Sequence, residues 1–149
     1  MKNYLAILCI PALLALSSCS SLTSTGKDAA VEVDGKKYKV VDVETGKMSW
    51  YSVKTNFGTA TASGEKFTNH GYTAAHKKLK LGTRVRVTNL ANGKSKILRI
   101  NDRGPYKPGR IIDVSVGMSH GKHLDFHHDG VVHCKVEILE VIDTEKNNS

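Results

Sequence analysis

From residue 83 onward, apolar and polar positions alternate with a period close to two. "TRVRVTNL" (83–90) and "SKILRIN" (95–101) flank Asn92-Gly93, so the pattern predicts a β-hairpin turning there. "RIIDVSV" (110–116) predicts a further strand and "GVVHCKVEILEVI" (130–142) a long final one. Upstream, "VEVDGKKYKVVDVE" (31–44) sets Asp34-Gly35 between β-prone flanks, a second hairpin signal, and "GKMSWYSV" (46–53) reads as a strand. The pattern lapses elsewhere. Residues 54–71 are rich in Thr, Gly, Asn and Ser and read as a long loop. "YTAAHKKL" (72–79) predicts two helical turns, and "GMSHGKHL" (117–124) a short helix weakened by Gly121. About six strands and one or two short helices imply a mainly β fold, a small six-stranded closed barrel.

The first residues follow another pattern. Lys2 precedes an apolar run from Leu5 to Leu16. That run is too short to span a bilayer and suits the apolar part of a signal peptide. "LSSC" (16–19) has the form of a lipobox, the bacterial lipoprotein cleavage signal. Residues 1–18 are then expected to be removed and Cys19 to carry acyl chains, each buried methylene contributing ~0.8 kcal/mol to anchoring. The lipidated cysteine, a small polar tether and the first hairpin fill 19–45; the barrel is expected over 46–142 and a frayed tail over 143–149. A plain secretory signal is the alternative, and it too exports the chain. Cys9 would leave with the signal and Cys19 would carry lipid, so Cys134 has no partner for an intramolecular disulfide. Val132, Cys134, Val136 and Ile138 share one strand face, which makes Cys134 a small buried hydrophobe.

Charge changes the picture further. The chain of 149 residues carries a formal net charge of +8. From Lys77 to Arg110 there are eleven Lys or Arg and a single acid, Asp102. Such a balance favours an anionic polymer or membrane face as partner, and export removes nucleic acid from the expected partners.

Asp102 stands at a strand end, beside Asn101 and before "RGP". It is either an acid or base presented by a tight turn, or the capping residue of an ordinary turn. Cations beside a carboxylate favour its charged form, so a proton donor here needs burial. Glu65 in "SGE" and His76 in "TAAH" are the other candidates, Glu65 because glycoside cleavage commonly uses paired carboxylates. Trp50 and Tyr51 could stack on a sugar, although strand alternation turns only one of them inward. His120, His123 and His127, at i, i+3 and i+7, would share a face if one helix carried them and are weak metal candidates; no metal or other cofactor is expected.

The run "SWYS…TASGEKF…TAAHKKLKLGTRVRVTNLANGKSKILRINDRGPYKPGRIIDVS…GVVHCKVEIL" closely resembles the rare lipoprotein A (RlpA-like) family of septal lytic transglycosylases. The resemblance implies a double-psi β-barrel. It implies Asp102 as the essential acid/base, with Glu65 and His76 lining the same groove and Thr73, Asn101 and Arg103 as substrate or scaffold contacts. The implied substrate is peptidoglycan glycan, preferably stripped of stem peptides, and division-site proteins are further partner candidates. The expected location is the cell envelope, with the Cys19 anchor in the outer membrane facing the periplasm, since Ser20 rather than Asp follows the cysteine. The sequence departs from the family at Ser52, where Gly is common, in "VKTNFGTA", and in the His-rich "VGMSHGKHLDFHHDG". These departures keep two other readings in play: an expansin-like protein that binds or loosens the wall without catalysis, and a metal-binding envelope lipoprotein.

Overall fold

The computed structural model describes residues 30–56 and 58–142. The signal peptide, the lipidation site at Cys19 and the tail from 143 lie outside the described residues. Strand β1 (Val31–Val33) turns through Asp34, φ 50°, and Gly35, φ 72°, into β2 (Lys36–Tyr51). These are left-handed backbone angles, natural for Gly and tolerated by Asp, so the Asp-Gly signal made the hairpin it promised. Strand β2 runs without a break through residues 45 and 46, where the sequence suggested that the barrel starts. The remaining elements are β3 (Thr73–His76), β4 (Arg84–Asn89), β5 (Ser95–Asp102), β6 (Arg110–Ser115), α1 (Val116–Ser119) and β7 (Val131–Val141).

Six strands close in the order β2-β6-β3-β5-β4-β7, with β7 returning to β2. The β2–β6 and β3–β5 pairs are parallel and the other pairs of the ring antiparallel. β1 adds to β2 as a seventh strand. Alternation explains the core: Val85, Val87, Leu98, Ile100, Ile112, Val114, Cys134 and Val136 pack inside, with Met48, Met118, Leu124 and Phe126. Burying each such aliphatic side chain stabilises by about 1.5–3 kcal/mol. A second cluster, Tyr38, Val40 and Leu139 against Val31, Val33 and Ile97, fastens the β1 hairpin. A third, Tyr51, Phe67 and Ala75 with Val53, brings the long loop against β2 and β3.

Two helix expectations are corrected. Residues 73–76 form a strand because Ala74 is paired on both sides, with Ile100 of β5 and Val114 of β6. Non-local pairing of a buried segment outweighs the helical preference of Ala, His and Lys. The helix at 117–124 is only α1, which ends at Ser119. Beyond it the chain coils back, with the N–H groups of Leu124 and Phe126 donating to the carbonyls of Met118 and Ser119. Gly117 is required there: its N–H lies 2.7 Å from the Asn69 carbonyl, and a Cβ would approach that same oxygen to 2.7 Å.

Candidate active site

Asp102 ends β5 at a bulge. Ala74 pairs with Ile100 but Ala75 pairs with Asp102, which leaves Asn101 as the extra residue. Bulges re-aim side chains next to active sites. Asp102 is 8% exposed, and its Oδ1 accepts from the backbone N–H of Ala62 (2.9 Å) and of Arg103 (2.8 Å). Its Oδ2 receives no hydrogen bond among the described residues. Gly104 follows with φ 124°, a backbone state that suits only glycine.

Glu65 is brought to Asp102 by a small turn. The carbonyl of Glu65 accepts from the Thr61 hydroxyl (2.8 Å), and the N–H of Ser63 donates to the Asn101 carbonyl (3.0 Å). The carboxylate is gripped on both oxygens by the Arg99 guanidinium, at 2.6 and 2.8 Å, and by the Asn101 amide at 3.2 Å. Arg99, then Asn101, hold its carboxyl down at about 2, against an ordinary 4.5. Both Glu65 oxygens are thereby engaged by Arg99.

His76 is turned elsewhere. Its Nδ1 accepts from the N–H of Lys78 (3.2 Å) and Leu79 (3.1 Å), so Nε2 carries the proton and donates to Glu44 (3.2 Å). It borders a 300 Å³ hollow shared with Glu44, Lys77, Lys78 and Ile111. No hydrogen bond joins it to Asp102 or Glu65 among the described residues. Its link to Asp102 is indirect. Arg103 Nη1 donates to the carbonyls of His76 (3.1 Å) and Leu79 (2.7 Å), while Arg103's own N–H holds Asp102.

An acid not singled out in the sequence shares the face of Asp102. Ser49, Asp113, Ala75 and Asp102 are successive register partners across β2, β6, β3 and β5. Register partners project to one face, opposite to the core residues Met48, Ile112 and Ala74 that alternate with them. Asp113 accepts from the Ser49 hydroxyl, and Arg110 Nη1 donates to Ser49 Oγ at 3.1 Å. Burial raises the Asp113 carboxyl above its ordinary range, against the Ser49 hydrogen bond and the charges of Arg110 and Lys107. On the same face Tyr51 stacks on Phe67, ring centroids 4.5 Å apart. Its hydroxyl is buried without a hydrogen-bond partner among the described residues. Burial first, then the charges of Asp102 and Asp113, oppose loss of the phenol proton. The signal for Asp113 was present: an acid inside the apolar run Ile111-Ile112-Asp113-Val114.

A family model described as lytic transglycolase matches residues 43–136. This chain belongs to that RlpA-like lytic transglycolase family. The endolytic peptidoglycan transglycosylase RlpA of Pseudomonas aeruginosa is 43% identical over 120 residues, covering 80% of this chain and 33% of that protein. The RlpA of Neisseria meningitidis is 43% identical over 111 residues, 71% of this chain and 45% of that one. The Vibrio cholerae protein is 37% identical over 123 residues, 79% and 46% respectively. The chain thus spans a third to under half of these curated relatives. Among solved structures, the Streptomyces papain inhibitor covers 68% of this chain and 97% of its own at a TM-score of 0.52 and 20% identity. That likeness concerns the fold alone, a double-psi β-barrel.

The other substrate-contact candidates divide between the two faces, Thr73 on that of Ala75 and Trp50 on that of the core. Thr73 pairs with Arg99 on the strand leading to Ala75. Trp50 lies on the side of β2 opposite Tyr51; it packs against the core, stacks on His127 at 4.7 Å and donates its indole N–H to the His127 carbonyl (3.2 Å). Neither aromatic is a free sugar platform, since Tyr51 is already stacked. The helical alignment of the three histidines is also corrected. His120 stacks on His127 at 4.2 Å, whereas His123 meets the edge of Tyr72. No group of three metal-ligating side chains occurs among the described residues. Cys134 is buried, and burial pushes its thiol up to about 12, as a small hydrophobe requires.

Proposed function

We propose that the protein is a lytic transglycosylase that cleaves MurNAc–GlcNAc bonds of peptide-poor peptidoglycan and leaves 1,6-anhydromuramoyl ends. The observation that carries the reading is Asp102: buried at a bulge, fixed through Oδ1 by two backbone N–H groups, and with Oδ2 left for a substrate. Family membership supports the reaction class.

The chemistry asks for two proton movements. A proton must reach the glycosidic oxygen as its bond to C1 breaks, and one must leave the muramoyl C6 hydroxyl as that oxygen attacks C1. No water is consumed. Asp102 is the group placed to make this exchange. The formal net charge of +8 suits a polymer that bears lactyl carboxylates.

Digestion of denuded peptidoglycan by protein lacking residues 1–19, read by mass spectrometry, tests the proposal. Anhydromuramoyl products should appear with the wild type and fall by about 100-fold or more in Asp102→Asn. Glycan binding without such products would favour the wall-binding, expansin-like reading. We also propose that the mature chain is held at the outer membrane, facing the periplasm, by lipid on Cys19. Metabolic labelling with an alkynyl palmitate should mark the wild type and leave Cys19→Ala unlabelled.

A further inference from the structure

We infer that the hollow between the β1 hairpin and Tyr72 is a distal glycan subsite, where Tyr72 stacks on a neutral N-acetylglucosamine ring of a glycan held for cleavage at Asp102. The subsite rests on the transglycosylase reading and adds to it a grip away from the cut.

The hollow measures 580 Å³ and is lined by Val31, Val33 and Asp34 of the hairpin, Arg84 of β4, Ile97 of β5, and Tyr72. The family model begins at residue 43, so β1 and its turn lie outside the matched residues. The hairpin is nonetheless fastened to the barrel twice. Val31 and Val33 pack on the second cluster, as Ile97 does, and Asp34 Oδ2 meets Arg84 Nη2 at 3.2 Å. Tyr72 is 55% exposed. Its carbonyl accepts from the Arg99 N–H at 3.0 Å, and its ring makes a T-shaped contact with His123, centroids 5.6 Å apart. A ring held in this way loses little freedom when a ligand stacks on it.

Register joins the hollow to the candidate active site. Arg84, Arg99 and Thr73 are successive partners across β4, β5 and β3. Thr73 and Ala75 share a face by alternation, so this row and the row of Asp102 lie on one face. Ile97 precedes Asp102 by five residues, about 16 Å along β5, and Tyr72 precedes Ala75 by three, about 10 Å. One polymer can cover both places, and a single sugar cannot.

Charge selects the ring. Arg84 is matched by Asp34, and Arg86 beside it holds Glu137 through two hydrogen bonds. Matched pairs offer donors and acceptors together without net charge. A sugar supplies the counterpart, with hydroxyl and acetamido groups on its rim and C–H groups on its face. Of the two sugars that alternate in the glycan, N-acetylglucosamine is the one without a carboxylate. Its C–H face suits Tyr72 and Ile97.

Affinity is measured with Asp102→Asn, which keeps the glycan uncut, for a fluorescently labelled tetrasaccharide and for long denuded glycan. Adding Tyr72→Ala should weaken binding of the long glycan about 3–10-fold, the size of an aromatic contact. Binding of the tetrasaccharide, too short to span both places, should not weaken. Tyr72→Phe keeps the ring and should keep the affinity. Unchanged affinity of Tyr72→Ala for the long glycan would overturn the inference. Equal losses on both ligands would also overturn it, by placing Tyr72 in the cleavage site, as would a Tyr72→Phe loss as large as that of alanine. Arg84→Gln covers the case in which Tyr72→Ala fails to fold. It too should lose affinity for the long glycan alone, and a loss on neither ligand or on both would overturn the inference. Added salt should not shrink that loss, because the bound ring is uncharged. A loss that vanishes with salt would overturn the N-acetylglucosamine assignment. A wild type that makes no anhydro ends, while the length-dependent loss persists, would remove the transglycosylase reading and leave the subsite as part of a binding groove.

Discussion

The barrel face at Asp102 and the His-rich turn after α1 both gather ionisable side chains, but their polar atoms are placed differently. In the turn, His120, His123, His127 and His128 crowd a short stretch of sequence, and the structure spends them on contacts with one another and with aromatic rings. Burial first, then neighbouring basic side chains, lowers the proton affinity of His123 and His127. At the barrel face, Ser49 of β2 joins Asp102 and Asp113 of the consecutive strands β5 and β6, and the three lie in one row with Ala75. There Tyr51 and Asn101 each retain a buried polar atom without a partner among the described residues, as His123 Nδ1 does in the turn. Density of titratable residues in the sequence is thus a poor guide. Sheet register is the better one, because it lines up acids from different strands on one rigid face.

The largest effect that separates the two regions beyond the acids themselves should come from His76. We expect His76→Ala to lower turnover by about 10–100-fold, since Arg103 then loses the turn that aims it and Asp102 drifts. The stability cost should be only about 1–3 kcal/mol, from the N–H groups of Lys78 and Leu79 left unpaired. His76→Asn supplies an oxygen near the position of Nδ1 and should restore most of the turnover. Kinetics beside urea unfolding curves decide this. Parallel losses of activity and stability, with no rescue by Asn, would make His76 a mere structural residue.

Much of this contrast was legible in the sequence. The strands of residues 84–141 follow from alternation, Asn92-Gly93 marks the turn between β4 and β5, and Asp34-Gly35 marks that between β1 and β2. Asp102 was visible as a lone acid at a strand end. What stayed hidden was set by pairing partners. Thr73–His76 looks helical by composition, and only β5 and β6 on either side make it a strand. The same two pairings bring Asp113 to Asp102, and no local pattern encodes a partnership across a third strand. His76 illustrates the same limit: its direction depends on Glu44 and on the turn at Lys78 and Leu79.

A smaller effect should appear at Glu65, and its pH dependence has a definite sign. Arg99 depresses the Glu65 carboxyl from 4.5 to about 2 in the folded chain. A depressed carboxyl stabilises the fold fully above its ordinary value and loses that contribution as pH falls through the folded value. The unfolding midpoint in urea should therefore differ most between wild type and Glu65→Gln above about pH 4.5, and the two should converge toward pH 2. Glu65 is half-exposed, so solvent screens the pair and the gap should be small. Turnover near neutral pH should fall only several-fold, because Gln still reaches Arg99 and Asn101. A gap that widens on acidification would contradict the assigned direction. A Glu65→Gln variant as inactive as Asp102→Asn would make Glu65 more than an anchor.

The smallest effect belongs to the His-rich turn. Removing the His127 ring in His127→Ala ends its stacking on Trp50 and on His120 but keeps the backbone carbonyl that accepts from the Trp50 indole. The loss should be about 0.5–1.5 kcal/mol, the size of an aromatic contact. Glycan turnover should not change, because Trp50 lies on the side of β2 opposite Tyr51. Thermal melts with Zn²⁺ or Ni²⁺ extend the comparison. If stacking is what these rings do, the metals should leave the melting temperature of wild type and His127→Ala equally unmoved. A metal-dependent rise in the wild type that His120→Ala or His127→Ala abolishes would turn the comparison around. The turn would then hold a second site, and the metal-binding reading of this segment would return with a measured ligand.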